Sequence, residues 1–324
     1  MKLSIQQLDV LRSQLPPLEF SLKNDCDWPQ SDAAQIYLNY YHINFAHDFT
    51  GVSHGFGYVE AAGFRIATHY WLPEDAKGTL IVVHGYYDHV GIFDHVHRFA
   101  LENNLAVLAF DLPGHGLSNG ERAAIKSFTQ YSDVLATLLQ QSADLLPTPL
   151  YAFGQSTGSA VILNYLWQYA EKQNAENRFQ KIILCSPLIL PRGWRLGRFA
   201  FAILRHFIKH LKRGKACSSH DKQFNDFLNH DDALQPPFLS LQWLAAMKDW
   251  NQEFCGYAPL AKQVLIIQGT GDMTVDWLYN LPTIKSKLPN AQIVMINDAG
   301  HQLVNESEHY RKQVFAAVSH YLFF

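Results

Sequence analysis

A serine, an aspartate and a histidine fall along this chain in an order, and in local settings, that suit acyl transfer. Gly154-Gln155-Ser156-Thr157-Gly158 is a G-x-S-x-G pattern. The apolar run Leu150 to Phe153 precedes it, after Pro147 and Pro149, and reads as a buried strand. Small residues follow, then Val161, Ile162, Tyr165, Leu166 and Tyr169 at helical spacing. Ser156 would then stand at a strand–turn–helix junction. Glycines there permit a turn too sharp for side chains, and the strained backbone presents the hydroxyl. The following helix aims its N-terminal N–H groups at an anion formed beside the serine. The plainer alternative is a helix N-cap serine after a glycine turn.

A nucleophilic serine needs a base, and the base needs an acid to orient it. In a strand–turn–helix setting these follow in the order Ser, Asp or Glu, His. Val264 to Gln268 reads as a strand ending in Gly269-Thr270-Gly271-Asp272. Gln292 to Ile296 reads as another, ending in Asn297-Asp298-Ala299-Gly300-His301. The expected triad is therefore Ser156, Asp272 and His301, with both partners just past the C-terminal end of a strand, where open α/β sheets place their sites. Asp276 and Asp298 are rival acids. Asp272 ranks first because it directly follows a strand–glycine turn, and Asp298 is too close to His301 for a two-loop geometry. No metal or organic cofactor is needed. His84, His89, His95 and His97 lie close in sequence but lack a compact ligand spacing.

The elements that must position these groups alternate. A hairpin is expected over Gly57 to Trp71 with Gly63 in its turn, after a glycine-rich loop from Gly51 to Gly57. Thr79 to Val83 and Leu105 to Phe110 are continuous apolar strands of the kind buried on both faces. Helices are expected over Val96 to Leu101, Thr129 to Leu139 and Ser307 to Leu322, and a further strand over Lys181 to Cys185. Strands alternating with helices mean a mostly parallel central sheet flanked by helices. Residues 1–56 read as an N-terminal extension packing on the core, with short helices carrying Leu8, Leu11 and Leu15 and then Ile36, Tyr37, Tyr40 and Tyr41.

Composition narrows the function class. With 48% hydrophobic and 17% charged residues, the 324-residue chain can bury a large core and is not a disordered protein. A net charge of −3 carries no global field toward nucleic acid. Cys26, Cys185, Cys217 and Cys255 are widely spaced, which suggests reduced thiols in a cytoplasmic protein. Met1 to Leu15 lacks a signal-peptide apolar core, and no apolar run reaches the length of a membrane span.

Four motifs carry a family resemblance from Gly57 onward. They are His84-Gly85-Tyr86-Tyr87-Asp88-His89, Asp111-Leu112-Pro113-Gly114-His115-Gly116-Leu117-Ser118, the serine elbow, and Gly300-His301, with Gly120-Glu121-Arg122 in support. The chain resembles the α/β-hydrolases of the monoacylglycerol lipase and lysophospholipase group. That resemblance implies an α/β-hydrolase core over residues 57–187 and 259–324, with a helical cap over 188–258 inserted after the sixth strand. It also implies an oxyanion hole made by the backbone N–H groups of Tyr86 and Thr157. Tyr87 stands where the group often has glycine, and Ser159 where glycine is common. His84 and Asp111 read as supports of their loops.

The insertion has its own signal. Pro191 to Lys215 carries Arg192, Arg195, Arg198, Arg205, Lys209, Lys212, Arg213 and Lys215 with no Asp or Glu. On a helical wheel Arg195, Arg198, Arg205, Lys209 and Lys212 share one stripe, opposite Leu196, Ala200, Ile203, Leu204, Phe207, Ile208 and Leu211. The simpler reading is a cap helix with its apolar face on an acyl pocket and its basic face in water. A basic amphipathic helix also suits peripheral contact with an anionic membrane, at its inner face. Phe238 to Trp250 is expected to line an acyl channel. The expected substrate is a small amphipathic lipid ester, a lysophospholipid or monoacylglycerol. A serine peptidase or amidase would need acidic cap residues for a free amine, and Asp231-Asp232 is the adjacent pair available. A non-catalytic ligand-binding homologue is the third reading, opposed by the intact triad.

Overall fold

The computed structural model describes residues 2–21, 28–170, 175–215 and 217–324. Cys26, one of the four thiols expected to be reduced, lies outside the described residues. Eight strands form one sheet: β1 (Val52–Ala61), β2 (Phe64–Pro73), β3 (Thr79–Val83), β4 (Ala106–Phe110), β5 (Leu150–Gln155), β6 (Lys181–Cys185), β9 (Leu265–Gly269) and β10 (Gln292–Ile296). Their order is β1-β2-β4-β3-β5-β6-β9-β10. The β1–β2 and β2–β4 pairs are antiparallel and every other pair is parallel, so this is the mostly parallel α/β sheet expected. The remaining strands, β7 (His210–Lys212) and β8 (Phe238–Ser240), pair with each other between β6 and β9.

The interior parallel strands are mainly apolar because both faces are covered, whereas the edge strand β10 is largely exposed. In β3, Ile81 and Val83 join one core, while Leu80 and Val82 join the other. The first core takes helical side chains from Phe128–Gln141, Thr157–Gln168, Leu241–Gly256 and, through Phe201, Leu281 and Ile284, from Trp194–Leu204 and Trp277–Lys287. The second takes them from Ile5–Gln14, Asp32–Tyr40, Asp94–Glu102 and Glu308–Phe323. Leu8, Leu11, Tyr37 and Leu38 of the N-terminal helices are buried there.

Two expectations fail. Gly51 to Gly57 is not a loop, since β1 begins at Val52. Its glycines make room for neighbours: a Cβ on Gly55 would lie 2.0 Å from the Tyr70 ring, and one on Gly57 would lie 2.6 Å from the Pro16 carbonyl oxygen. The insertion after β6 is also not purely helical. Its first helix spans Trp194–Leu204 and stops, because the chain beyond Phe207 pairs as β7 against β8. Lys209 and Lys212 therefore leave the stripe expected to hold them with Arg195, Arg198 and Arg205, the last of which caps the helix. The apolar residues divide too. Ala200, Phe201 and Leu204 face an internal cavity. Leu196, Phe199, Ile203 and Phe207 are 82%, 62%, 64% and 79% exposed, so the outer surface is not simply basic.

Candidate active site

Strand ends gather the site. Ser156 follows β5 directly and precedes the helix Thr157–Gln168. Its backbone sits at φ +54° and ψ −111°, a strained conformation that the turn imposes. The flanking glycines are required by space. A Cβ on Gly158 would lie 1.9 Å from the Val83 carbonyl oxygen, and one on Gly154 would lie 2.6 Å from the Ser159 nitrogen. Ser159 fits where glycine is common, and its hydroxyl donates to the Gly154 carbonyl at 2.7 Å. Ser156 makes no N-cap hydrogen bond, which removes the plainer reading of this serine.

His301 and Asp272 meet in the loops after β10 and β9. His301 Nδ1 lies 2.8 Å from Asp272 Oδ2. The second oxygen of Asp272 accepts from the Thr274 and Val275 N–H groups at 2.8 and 3.1 Å, and Gln268 Nε2 donates to Oδ2 at 3.1 Å. A carboxylate so fully bonded stays ionised and fixes the ring with Nδ1 protonated, leaving the Nε2 lone pair free. Burial pulls both groups toward neutrality, but their mutual attraction outweighs it. His301 is held above its ordinary value and Asp272 below its own. The rival acids do not reach His301. Asp298 is exposed and bonded to Asn297, and Asp276 starts the helix Trp277–Lys287.

Ser156 and His301 line one cavity of about 630 Å³, with no hydrogen bond between the two side chains. Leu188, Phe201, Leu204, Trp243, Leu244 and Val275 supply its apolar wall. Tyr86 and Thr157 also line it. Thr157 opens its helix, where the N–H has no intrahelical partner, and the Tyr86 N–H meets no acceptor among the described residues. Tyr87 takes φ +74°, which is why glycine suits that position. Its ring packs on the Tyr86 ring at 4.1 Å and under the Arg213 guanidinium at 3.9 Å.

The loop motifs act as supports. His84 Nδ1 donates to the Gly85 carbonyl at 2.7 Å, and its Nε2 accepts from the Leu112 N–H at 2.9 Å, tying the loops after β3 and β4. Burial holds His84 well below its usual range, so it stays neutral. Asp111 accepts from the Val90 and Leu117 N–H groups at 2.8 and 2.7 Å. Four supports were not singled out from the sequence. Gln155 donates to the His301 carbonyl at 2.8 Å, Gln302 donates to Asp88 at 2.8 Å, Gln268 holds Asp272, and Glu306 accepts from the Gly300 N–H at 2.7 Å. Their adjacency to the motifs was the available signal.

Asp231 and Asp232 do not form an amine site. Asp232 is buried, 2.9 Å from His89 and bonded by Tyr41 at 2.8 Å, while Asp231 pairs with Lys2 at the surface. Among the described residues no group of three or more His, Cys, Asp or Glu side chains could hold a metal ion.

The chain matches the family model described as serine aminopeptidase, S33, over residues 74–308. It is 32% identical to the monoglyceride lipase of Homo sapiens over 67% of this chain and 73% of that protein. It is 30% identical to the monoacylglycerol lipase of Mycolicibacterium smegmatis over 40% of this chain, and that match spans 44% of the mycobacterial protein. Among solved structures it resembles a soluble variant of the Saccharomyces cerevisiae monoglyceride lipase bound to a substrate analogue. The TM-score is 0.69 at 18% identity, covering 82% of this chain and 94% of that one.

Proposed function

The chain belongs to the serine aminopeptidase S33 family of α/β-hydrolases, and from that premise we propose that it hydrolyses carboxylic esters of single-chain lipids through an acyl-enzyme. Monoacylglycerols and lysophospholipids are the substrate class. The observation that carries the reading is that His301, bonded to Asp272, lines a largely apolar cavity together with the strained Ser156.

In this reading Ser156 Oγ attacks the ester carbonyl carbon while His301 Nε2 takes its proton. Asp272 stabilises the imidazolium and keeps its tautomer. The carbonyl oxygen, now an oxyanion, receives the Tyr86 and Thr157 N–H groups, each worth about 3–4 kcal/mol in the transition state. His301 returns the proton to the leaving alcohol, and water attacks the acyl-enzyme by the same route. Residues 188–258 act as the cap, 57–187 and 259–324 as the catalytic core, and 1–56 as an extension bracing it.

The peptidase alternative loses its amine site, because Asp232 is consumed by His89 and Tyr41. Fluorophosphonate labelling, with a panel of p-nitrophenyl esters and aminoacyl amides, tests the reading. Ser156→Ala should take no label. Faster turnover of amides than esters would assign the peptidase reaction instead.

The cap also supports peripheral contact with an anionic membrane. Leu196, Phe199, Ile203 and Phe207 stand in water beside Arg195, Arg198 and Arg205. Apolar side chains rimmed by cations suit a lipid surface. Among the described residues no helix is long and apolar enough to cross a membrane. The exposed free thiols of Cys217 and Cys255 favour a reducing compartment, hence the cytoplasmic side.

A further inference from the structure

The catalytic cavity is not apolar all round. It is also bordered by Arg213, Gly214 and Lys215, the segment that follows β7, and by Arg192. Arg213 is half-buried. Its backbone N–H bonds the Pro237 carbonyl at 3.1 Å, and its Nη1 donates to Gln235 Oε1 at 2.7 Å. The guanidinium lies over the Tyr87 ring at 3.9 Å. Among the described residues no carboxylate comes within ion-pair distance of it. A guanidinium carries five N–H donors in a planar fork. With one of them on Gln235, the others are left for a ligand.

The surrounding charge is mostly cationic, and the two carboxylates near it, Asp88 and Asp232, are both engaged elsewhere. Asp88 lines the cavity, and its oxygens are taken by the Gly85 N–H at 3.2 Å and Gln302 at 2.8 Å. A second cleft, of about 770 Å³, is bordered by the same segment, with Lys2, Lys212 and His230 along with Arg213 and Lys215, and by Asp232, whose carboxylate is bonded to His89 and Tyr41. The chain from Lys212 to Lys215 is thus a cationic saddle between two cavities.

The saddle also adjoins the oxyanion loop. Tyr87, under the guanidinium, is the neighbour of Tyr86, the proposed oxyanion donor. Arg213 lines the same cavity as Ser156, Phe201 and Leu204, so a head group on Arg213 and an acyl chain on Phe201 and Leu204 would share it. A neutral glycerol would leave the fork unused, whereas a phosphate can take two of its N–H groups at once.

We propose that Arg213, assisted by Lys215, is a phosphate subsite that reads the head group of a monoacyl glycerophosphate lipid and makes the enzyme prefer it to a neutral monoacylglycerol. This rests on the ester-hydrolase reading above. Arg213 is a specificity residue here and takes no part in bond making.

The test compares 1-octanoyl-glycerol 3-phosphate with 1-octanoylglycerol, both below their micelle concentrations so that adsorption to a lipid surface plays no part. Wild type should show the higher kcat/KM on the phosphate lipid. Arg213→Gln should lower the ratio of the two by about 10- to 100-fold, mainly through KM, as expected for losing hydrogen bonds to a charged group. Arg213→Lys should retain part of the ratio. Lys215→Gln, an exposed position, should lower it several-fold and serves if the Arg213 variants fail to fold. Equal loss on both substrates would make Arg213 a structural latch and overturn the proposal. If wild type cleaves neither lipid, the hydrolase reading fails, and calorimetry with Ser156→Ala still decides the subsite. Octanoyl-glycerol phosphate should bind more weakly when Arg213→Gln is added, and unchanged binding overturns it. Inorganic phosphate displacing the lipid at equal concentration would reassign the subsite to free phosphate.

Discussion

His89 Nε2 and Asp232 Oδ2 meet at 2.9 Å with neither side chain exposed, joining the loop after β3 to the end of the cap helix Lys222–His230. Asp232 also accepts from the Tyr41 hydroxyl, so one carboxylate ties together the N-terminal extension, the core and the cap. Its position is well satisfied: Gln235 Nε2 and the Leu234 N–H donate to it at 2.8 and 3.0 Å. Burial raises its pKa, but the pairing with His89 outweighs this and holds it down to about 2.

Breaking this junction should loosen the cap. Asp232→Ala leaves His89 and Tyr41 unpaired in the interior, a change that costs about 3–5 kcal/mol. Asp231→Ala, at the exposed pair with Lys2, should stay within about 0.5 kcal/mol. Urea unfolding of the two variants measures the difference. Similar midpoints would show that the buried pair does not hold the cap.

The proposed triad gives ordered losses. Ser156→Ala should lower kcat by about 10⁶ and Asp272→Asn by about 10⁴, the second through the wrong tautomer. Asp298→Asn should stay within about tenfold of wild type, since Asp298 bonds Asn297 and not His301. Steady-state kinetics on a soluble ester decides, and a crippling Asp298→Asn would transfer the acid role.

The pH dependence follows from the same pair. The base must be neutral to accept a proton, and Asp272 raises His301 above 6.5 despite its burial. Activity should therefore fall as pH drops through a value above that of an ordinary histidine. In Asp272→Asn the acid limb of kcat/KM should move to lower pH. A limb that stays in place would show that Asp272 does not set the charge on His301.

Acid should also destabilise the fold, through histidines that the mechanism does not use. Burial holds His54, His97 and His115 down to about 3. Each stays neutral when folded but takes a proton near 6.5 when unfolded. Their stabilisation is complete above that unfolded value and drains away as pH falls toward 3, by about 1.4 kcal/mol per pH unit for each. His97 packs on Trp71 and Phe45 with neither ring nitrogen bonded. His97→Phe should flatten the slope of stability against pH between about 4 and 6 by that amount. An unchanged slope in chemical denaturation would show that His97 is protonated in the folded state.

How far the sequence could be read depends on the range of the forces involved. The elbow, the Asp272 turn and Gly300-His301 are written in local turn chemistry, and the structure brings those residues to one cavity. The β1 glycines misled because space for Tyr70 and Pro16 is a tertiary demand that looks like a loop in composition. The cap failed for a related reason. A helical wheel continues through Lys212 on paper, but pairing of Leu211 with Leu239 ends the helix early. Contacts such as Tyr41 with Asp232 join distant parts of the chain, and nothing in either local sequence announces them.

The last prediction concerns the outer surface of the cap. Changing Arg205, Lys209 and Lys212 together to Gln tests the charge alone, and each cation near an anionic surface is worth about 1 kcal/mol. The exposed Phe199 and Phe207 add a component that salt does not screen. Burying a Phe side chain in an apolar medium is worth about 1.5–3 kcal/mol. Binding to anionic vesicles should therefore fall on two axes. The charge variant should lose most at low salt, and Phe199→Ser with Phe207→Ser should lose at low and high salt alike. Neither change touches the strand ends that carry Ser156, Asp272 and His301, so turnover of a short soluble ester reports whether the fold is intact. Co-sedimentation with anionic and zwitterionic vesicles measures both axes. If wild type and both variants sediment equally with each kind of vesicle, the apolar stripe is a bare feature of the cap and the membrane contact is wrong. The hydrolase reading would survive that result.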